Sequence, residues 1–489
     1  MIAADFYRSL LCRDPQLAPV RADLAGVLLS EGDLDAAVAE SSAALAVDPS
    51  LVQALLVRAA ALKTLCRFDE AAEDFQRAAT LAPGRAMMLV NLGNTYAEIA
   101  RLGDAERALR QAVALAPDSK EAQLSLSSVL IKLDRLAEAE APCRAALALD
   151  PGLVAAHQNL SGILARTDPG AARFHRDAAY RRQHVFVEPA PRPERTVLVL
   201  AAAEAANVPL ADLIPRATTS VIRWYVEYAT GDPDPALAQA DVVFNAIGDA
   251  DMAPELPQSV RRLLDGRRVL NAPEKVALTR RCDLPGLLAG IPGIVVPAVT
   301  RHESGEPPGI AGPILIRPIG SHGGEGLRRY DDAGALADLP TGPCYVTRFV
   351  DYASADGWYR KYRVIFAEGR PYPYHLAISR RWLVHYWTSG MEQDASRRDE
   401  ERRFLANPEA AIGSAAMAAL GAIGERLGLD YAGIDFGFLP DGRLVVFEAN
   451  ATMLVHPERD ACFAYRNPAV EAIRSAFEAM LERGGSPMT

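Results

Sequence analysis

Asp435, Glu448 and Asn450 are the residues of this chain best spaced to do chemistry together. They end the run Ile434-Asp435-Phe436-Gly437-Phe438-Leu439-Pro440-Asp441-Gly442-Arg443-Leu444-Val445-Val446-Phe447-Glu448-Ala449-Asn450, which reads as two strands joined by a two-residue Asp-Gly turn. Residues opposed across such a turn share one index sum, which Asp435 and Glu448 satisfy, and period two puts Asn450 on the face of Glu448. Carboxylates so placed repel. Leu444 to Phe447 are apolar on both faces, so bare charges there are costly without a counter-cation. Two carboxylates and an amide oxygen are hard ligands suited to Mg²⁺, which commonly bridges carboxylates and nucleotide phosphates. The plainer reading, a solvent-facing hairpin with solubilising acids, fits the apolar strand poorly.

A second constellation is Pro313-Ile314-Leu315-Ile316-Arg317-Pro318-Ile319-Gly320-Ser321-His322-Gly323-Gly324-Glu325-Gly326-Leu327: a strand, a cation and a glycine-rich loop. Gly320, Gly323, Gly324 and Gly326, with Ser321 among them, let backbone N–H groups close over phosphate oxygens, and Arg317 adds charge. Alone, such a loop is more often a hairpin turn; with the acidic hairpin it points to a phosphate site. His322 inside it is a candidate substrate contact. In Trp358-Tyr359-Arg360-Lys361-Tyr362-Arg363, alternation turns Lys361 and Arg363 to one face.

The elements that must hold these residues belong to a chain of 489 residues, long enough for about three domains. A net charge of −10 argues against a nucleic-acid protein. The six cysteines are too dispersed for a metal site or disulfide framework, as in a reducing cytoplasm. No signal peptide or membrane span is expected, since the longest apolar stretch, Leu287 to Val299, is broken by glycine and proline.

Pro15, Pro49, Pro83, Pro117 and Pro151 recur every 34 residues, and Ala37, Ala71, Ala105, Ala139 and Ala44, Ala78, Ala112, Ala146 keep the same register. Small residues let paired helices approach closely, and a proline after the second helix ends it. The pattern, clearest in Asn91-Leu92-Gly93-Asn94-Thr95-Tyr96, resembles the tetratricopeptide repeat over 1–185, with four full repeats from about residue 18. That resemblance implies a concave groove for a peptide or protein, lined by Met87, Val90, Asn94, Leu124, Ser128 and Lys132.

Val185 to Pro193 reads as a stiff proline-rich linker. Beyond it Thr196–Leu200 and Asp241–Phe244 read as buried strands of an α/β domain, with Asn245 at a strand end where such sheets place ligands. From about Thr196 onward the chain resembles the ATP-grasp superfamily, in its branch of carboxylate-amine ligases that modify peptides or proteins. The resemblance rests on the Arg317 strand and glycine loop, Tyr345-Val346-Thr347-Arg348-Phe349-Val350, Arg363, and the closing Gly433-Ile434-Asp435 and Phe447-Glu448-Ala449-Asn450. It implies domains at 195–296 and 297–489, an α/β to α+β fold, and ATP and Mg²⁺ as cofactors. It also implies Mg²⁺ on Asp435, Glu448 and Asn450, adenine against the backbone of Arg348, Phe349 and Val350, Arg317 in place of the usual phosphate lysine, and Arg363 and Arg380 near the transferred phosphoryl group. The expected activity is ligation through an acyl phosphate. A kinase on the same fold and a nucleotide-sensing adaptor are the alternatives.

Overall fold

The computed structural model describes residues 2–204, 207–230, 234–303, 312–321, 324–331 and 342–484. It divides into two compact units, Met1–His184 with Pro189–Pro193 and Arg216–Thr218, and the remainder.

In the first unit a single helix, α1 (Ile2–Arg13), precedes antiparallel pairs α2 (Ala18–Glu31) and α3 (Leu34–Val47), α4 (Val52–Thr64) and α5 (Phe68–Leu81), α6 (Ala86–Glu98) and α7 (Leu102–Leu115), and α8 (Lys120–Lys132) and α9 (Leu136–Leu149). A fifth pair, α10 (Val154–Leu164) and α11 (Pro169–Arg182), follows. Both in-register alanine series are fully buried, so the helices of each pair meet on side chains of one carbon. The second helix of each of the first four pairs stops two residues before its proline. A further register lies at the turns within pairs: Gly32, Cys66, Ala100 and Asp134 adopt left-handed backbone, at φ +83°, +60°, +53° and +58°.

Among the described residues the second unit carries three sheets. The first, in order β1 (Val185–Glu188), β3 (Thr219–Tyr225), β2 (Arg195–Ala201), β4 (Val242–Asn245), β5 (Val269–Leu270), is parallel except for β1. Half of the expected linker is therefore a strand, because Val185, Phe186 and Val187 pair along the open edge of β3. The second sheet runs β12 (Arg370–Ser379), β11 (Tyr359–Ala367), β13 (Tyr431–Phe438), β14 (Leu444–Asn450), β6 (Ile294–Val295). The third is antiparallel, β7 (Val299–His302), β10 (Cys344–Arg348), β8 (Ile314–Pro318), β9 (Arg328–Tyr330). The glycine-rich loop thus joins two antiparallel neighbours, β8 and β9. One apolar cluster runs from Val197 through Phe366 and Ile423 to Leu481, so the core has no break at the 296/297 boundary.

β13 and β14 form the hairpin, by a different route than expected. Its loop holds three residues, Pro440 to Gly442: Leu439 N–H donates to the Arg443 carbonyl and Gly442 N–H to that of Leu439, each at 2.9 Å, with Gly442 at φ +84°. This is a turn followed by a left-handed glycine. It shifts the register by one from Phe438↔Leu444 to Phe436↔Val446; Phe447 then bulges, and Asp435 faces Glu448 after all.

Candidate active site

Four charged or titratable residues stand in one row across the second sheet. His375 of β12 is the partner of Arg363 on β11, Arg363 of Asp435 on β13, and Asp435 of Glu448 on β14. Register shifts follow the row at both ends, beside Arg363/Val364 and Asp435/Phe436, and such bulges re-aim neighbouring side chains. The repulsion expected between Asp435 and Glu448 is answered by cations. Arg363 grips Asp435 with two bonds, Nε to Oδ1 at 2.6 Å and Nη2 to Oδ2 at 2.8 Å, and Lys361 Nζ reaches Oδ2 at 3.1 Å. Arg281 donates to Glu448 Oε2, and Arg317 Nη1 lies 3.5 Å from the same oxygen.

Burial alone would raise both carboxyls. Arg363 and Lys361 more than reverse this at Asp435, holding it well below the usual carboxylate range, and Arg281 and Arg317 hold Glu448 low despite repulsion from Asp435. Arg317 is itself pushed down, by burial and then by neighbouring Arg281. Two cations per carboxylate leave the row with surplus positive charge, which suits a polyanion. Burial, then Arg363 and Arg466, keeps His375 well below its ordinary value and therefore neutral.

This row forms part of the wall of a cavity of about 480 Å³ whose lining also includes Val296, Leu315, Phe349, Val350 and Phe447. Arg317, Gly324, Arg348, Phe349, Val350, Arg363, Asp435, Glu448 and Asn450 all line it. Gly320 and Ser321 instead line a cavity of about 30 Å³ shared with Asp251, Arg281, Tyr345 and Glu448. Gly326 lines neither cavity; at φ +66° it turns against Pro318. The Ser321 hydroxyl donates to the Pro318 carbonyl at 2.8 Å. The Phe349 N–H is engaged with the Pro313 carbonyl at 2.9 Å, so that amide does not face a ligand. Arg380 does not line the cavity: it is exposed and lies over the Trp358 ring at 4.1 Å, because it falls just past the end of β12, where alternation no longer sets its direction. Asn245 is buried, its amide donating to the Ile247 and Asn271 carbonyls, which makes it a structural tie. Gly323 and His322 lie outside the described residues.

The residues present fit Mg²⁺ in kind. Glu448 Oε2 takes both arginine contacts, and Oε1 has no partner among the described residues. Asn450 Oδ1 already accepts from the Thr452 amide and hydroxyl at 2.9 Å, and both Asp435 oxygens would have to exchange a cation for the metal. Arg281 and Arg466 joined the site unannounced. No motif surrounds either, and Arg281 meets Glu448 across 167 residues of sequence.

The first unit matches a family model, the tetratricopeptide repeat, over residues 23–86 and 90–154. The N-terminal unit is a tetratricopeptide repeat array. Among solved structures the chain is similar to YrrB, "a TPR protein with an unusual peptide-binding site", at 23% identity over 37% of this chain and 94% of that one, with a TM-score of 0.34. MamA follows at 21% identity, 32% and 94% coverage and a TM-score of 0.31, and PilF of Pseudomonas aeruginosa at 22%, 35% and 78% with 0.31. No curated protein matches the chain. Of the residues expected along the tetratricopeptide groove, Val90 is buried in the core, because it falls on the inner side of α6, while Met87 is half exposed. Asn94, Leu124 and Ser128 are partly exposed and Lys132 exposed. Among the described residues no helix is long and apolar enough to cross a membrane.

Proposed function

We propose that the second unit is an ATP-dependent ligase that activates a carboxylate as an acyl phosphate and passes the acyl group to an amine or other nucleophile. The observation that carries this reading is the convergence of Arg281, Arg317, Lys361 and Arg363 on Asp435 and Glu448 in a cavity with an apolar part. A triphosphate draws guanidinium and ammonium groups from the carboxylates by stronger charge-assisted bonds. Arg317 and Arg281 would hold its inner phosphates, and Arg363 and Lys361 the γ-phosphoryl group. Asp435, Glu448 and Asn450 would then hold Mg²⁺, which when bound neutralises charge developing between the β- and γ-phosphates. The substrate carboxylate oxygen attacks the γ-phosphorus and ADP leaves; the nucleophile next attacks the acyl carbon, losing a proton as phosphate departs. Apolar walls from Val296, Leu315 and Phe447 exclude water that would hydrolyse the acyl phosphate.

In the same reading the tetratricopeptide array recruits the peptide or protein that carries the carboxylate or the nucleophile. Six free thiols suit work in the reducing cytoplasm.

Calorimetric titration with ATP and Mg²⁺ tests the site. Arg317→Ala is expected to weaken binding by about 1.5–3 kcal/mol, the worth of a hydrogen bond to a charged group, and Arg317→Lys to restore most of it. Turnover yields ADP and phosphate. Unchanged binding in Arg317→Ala would remove the phosphate assignment, and AMP as product would remove the acyl phosphate.

A further inference from the structure

Beside the phosphate row the cavity has a second wall of different chemistry. Tyr374, His375 and Tyr386 form a contiguous aromatic patch, with ring centroids 5.2 Å apart between Tyr374 and His375 and 4.9 Å between His375 and Tyr386. The buried Arg466 guanidinium lies over both tyrosines, at 5.2 and 4.5 Å, paired with Glu458 and, at 3.7 Å, with Glu401, which also accepts from the Tyr386 hydroxyl at 3.0 Å. The Tyr374 hydroxyl takes the His456 N–H at 3.3 Å, which ties on the segment carrying Leu454 and His456, both facing the cavity. His375 is the cross-strand partner of Arg363, so this patch begins where the proposed γ-phosphate contacts end.

We propose that this wall receives the acyl substrate, and that this substrate is a carboxylate on an aromatic or aliphatic body whose α-nitrogen is acylated or absent, not a free amino acid. The inference rests on the ligase reading and names its substrate class. The carboxylate is drawn to Lys361 and Arg363, its body lies between the aromatic patch and the half-exposed Leu454, and the α-position lies beside that patch. An ammonium there would be stripped of water with no unpaired carboxylate to receive it, since Asp435 and Glu448, the acids lining this cavity among the described residues, are each held by two cations. His375 shares that environment: burial first, then Arg363 and Arg466, keeps its imidazole from taking a proton. His385, on the same cavity, is depressed by burial and then by Lys361 and Arg363.

The test is calorimetry on the full chain with Mg²⁺ and the β,γ-imido analogue of ATP, titrating 3-phenylpropionate, N-acetyl-phenylalanine and phenylalanine. These share a carboxylate and a phenyl ring and differ at the α-position. Phenylalanine is expected to bind more weakly than at least one of the others by about tenfold or more. A preference for N-acetyl-phenylalanine over 3-phenylpropionate assigns a peptide carboxylate; the reverse assigns a free acid. Leu454→Asp, at a half-exposed position of the wall, places a counter-charge there and is expected to raise phenylalanine affinity relative to the other two. Phenylalanine binding as well as both others, failure of all three while the nucleotide analogue binds, or an unchanged ratio of phenylalanine affinity to the other two in Leu454→Asp would each overturn the proposal. Failure of the analogue itself to bind would instead bring down the nucleotide reading beneath it.

Discussion

The repeated i,i+3 pairs of the array and the ion pairs of the cavity handle charge in opposite ways, although the array also buries one acid, Asp74, held by Arg58 through two bonds of 2.7 Å. In the repeat array, Arg67–Glu70, Arg101–Asp104 and Arg135–Glu138 recur every 34 residues as partly exposed i,i+3 pairs at the start of a second helix. Water screens such pairs, each is worth at most about 1 kcal/mol, and the array coheres through buried alanine contacts instead. In the second unit Asp435 is 3% exposed, and its ion pairs lie across the floor of a cavity. Burying a pair costs most or all of its attraction. Charge drawn inside at that cost is better explained by what the cavity binds than by stability.

The sharpest way to break the contrast is to remove one carboxylate from each unit. Repulsion from Glu448 would by itself make Asp435→Asn stabilising, but the observed pairs reverse the sign, since Arg363 and Lys361 would be left buried with no full counter-charge. Asp435→Asn is expected to destabilise the second unit by about 3–5 kcal/mol and abolish turnover, while Glu70→Gln in the array changes stability by less than about 1 kcal/mol. Trp224, Trp358, Trp382 and Trp387 all lie in the second unit, so tryptophan fluorescence during urea unfolding follows it alone, and far-ultraviolet circular dichroism adds the array. Equal costs for the two variants would show that the cavity pairs are as screened as the surface ones.

Glycines sharpen the comparison at a smaller scale. A Cβ on Gly424 would lie 2.2 Å from the Gly369 carbonyl oxygen, where helix Ser414–Leu427 crosses the β11–β12 turn, and backbone cannot give way cheaply. A Cβ on Gly93 would meet Leu109 Cγ at 2.5 Å, a side chain and not backbone, with the Ala105 carbonyl oxygen farther off at 3.2 Å, and the position one repeat earlier is Ala59. Gly424→Ala is expected to cost about 1–3 kcal/mol and Gly93→Ala less, measured by the same unfolding experiment.

How much of this was legible in the sequence differs between the units for a physical reason. A repeat writes the same contact many times, so Ala37, Ala71, Ala105 and Ala139 declare helix pairing without any knowledge of the path of the chain. The Asp435–Glu448 pairing was also legible, because period two is local; the loop length was not, since Asp-Gly serves two- and three-residue loops alike, and the bulge at Phe447 compensated for the error. Arg281 and Arg466 left no trace, because each reaches the cavity through tertiary structure. Arg380 sits just beyond its strand, where the strand period no longer applies.

Acid offers a graded test. His375 is depressed by burial, then by Arg363 and Arg466, and in the array His175 is depressed by burial, then by His157, whose Nδ1 lies 2.8 Å from its own. A histidine depressed in the folded state contributes in full above its unfolded pKa of about 6.5, and the contribution is lost as pH falls below that value toward the folded pKa. Asp435 adds a second loss only below about pH 4, as pH falls toward its depressed folded pKa. Between pH 7 and 5, His375→Gln is expected to flatten the loss of stability seen by fluorescence, and His175→Gln that seen by circular dichroism. An unaltered slope in His375→Gln would show that its environment does not exclude the proton.

The smallest effect lies in the array. Gly32, Cys66, Ala100 and Asp134 occupy one structural position with φ between +53° and +83°, yet only the first is glycine. An L side chain in that region costs about 1–2 kcal/mol, and glycine returns part of that gain through the greater freedom of its unfolded chain. Ala100→Gly is therefore expected to stabilise the array by about 0.5–1 kcal/mol, and Cys66→Gly similarly after allowing for lost contacts of the half-buried thiol. Asp134→Gly should gain less, because aspartate tolerates the left-handed region through local hydrogen bonds. Gly32→Ala supplies the converse and should cost about what Ala100→Gly gains. Circular dichroism would show these shifts while tryptophan fluorescence stays unmoved. A gain in both signals would mean that the array and the second unit unfold together, and that the contrast in how they carry charge does not extend to independent stability.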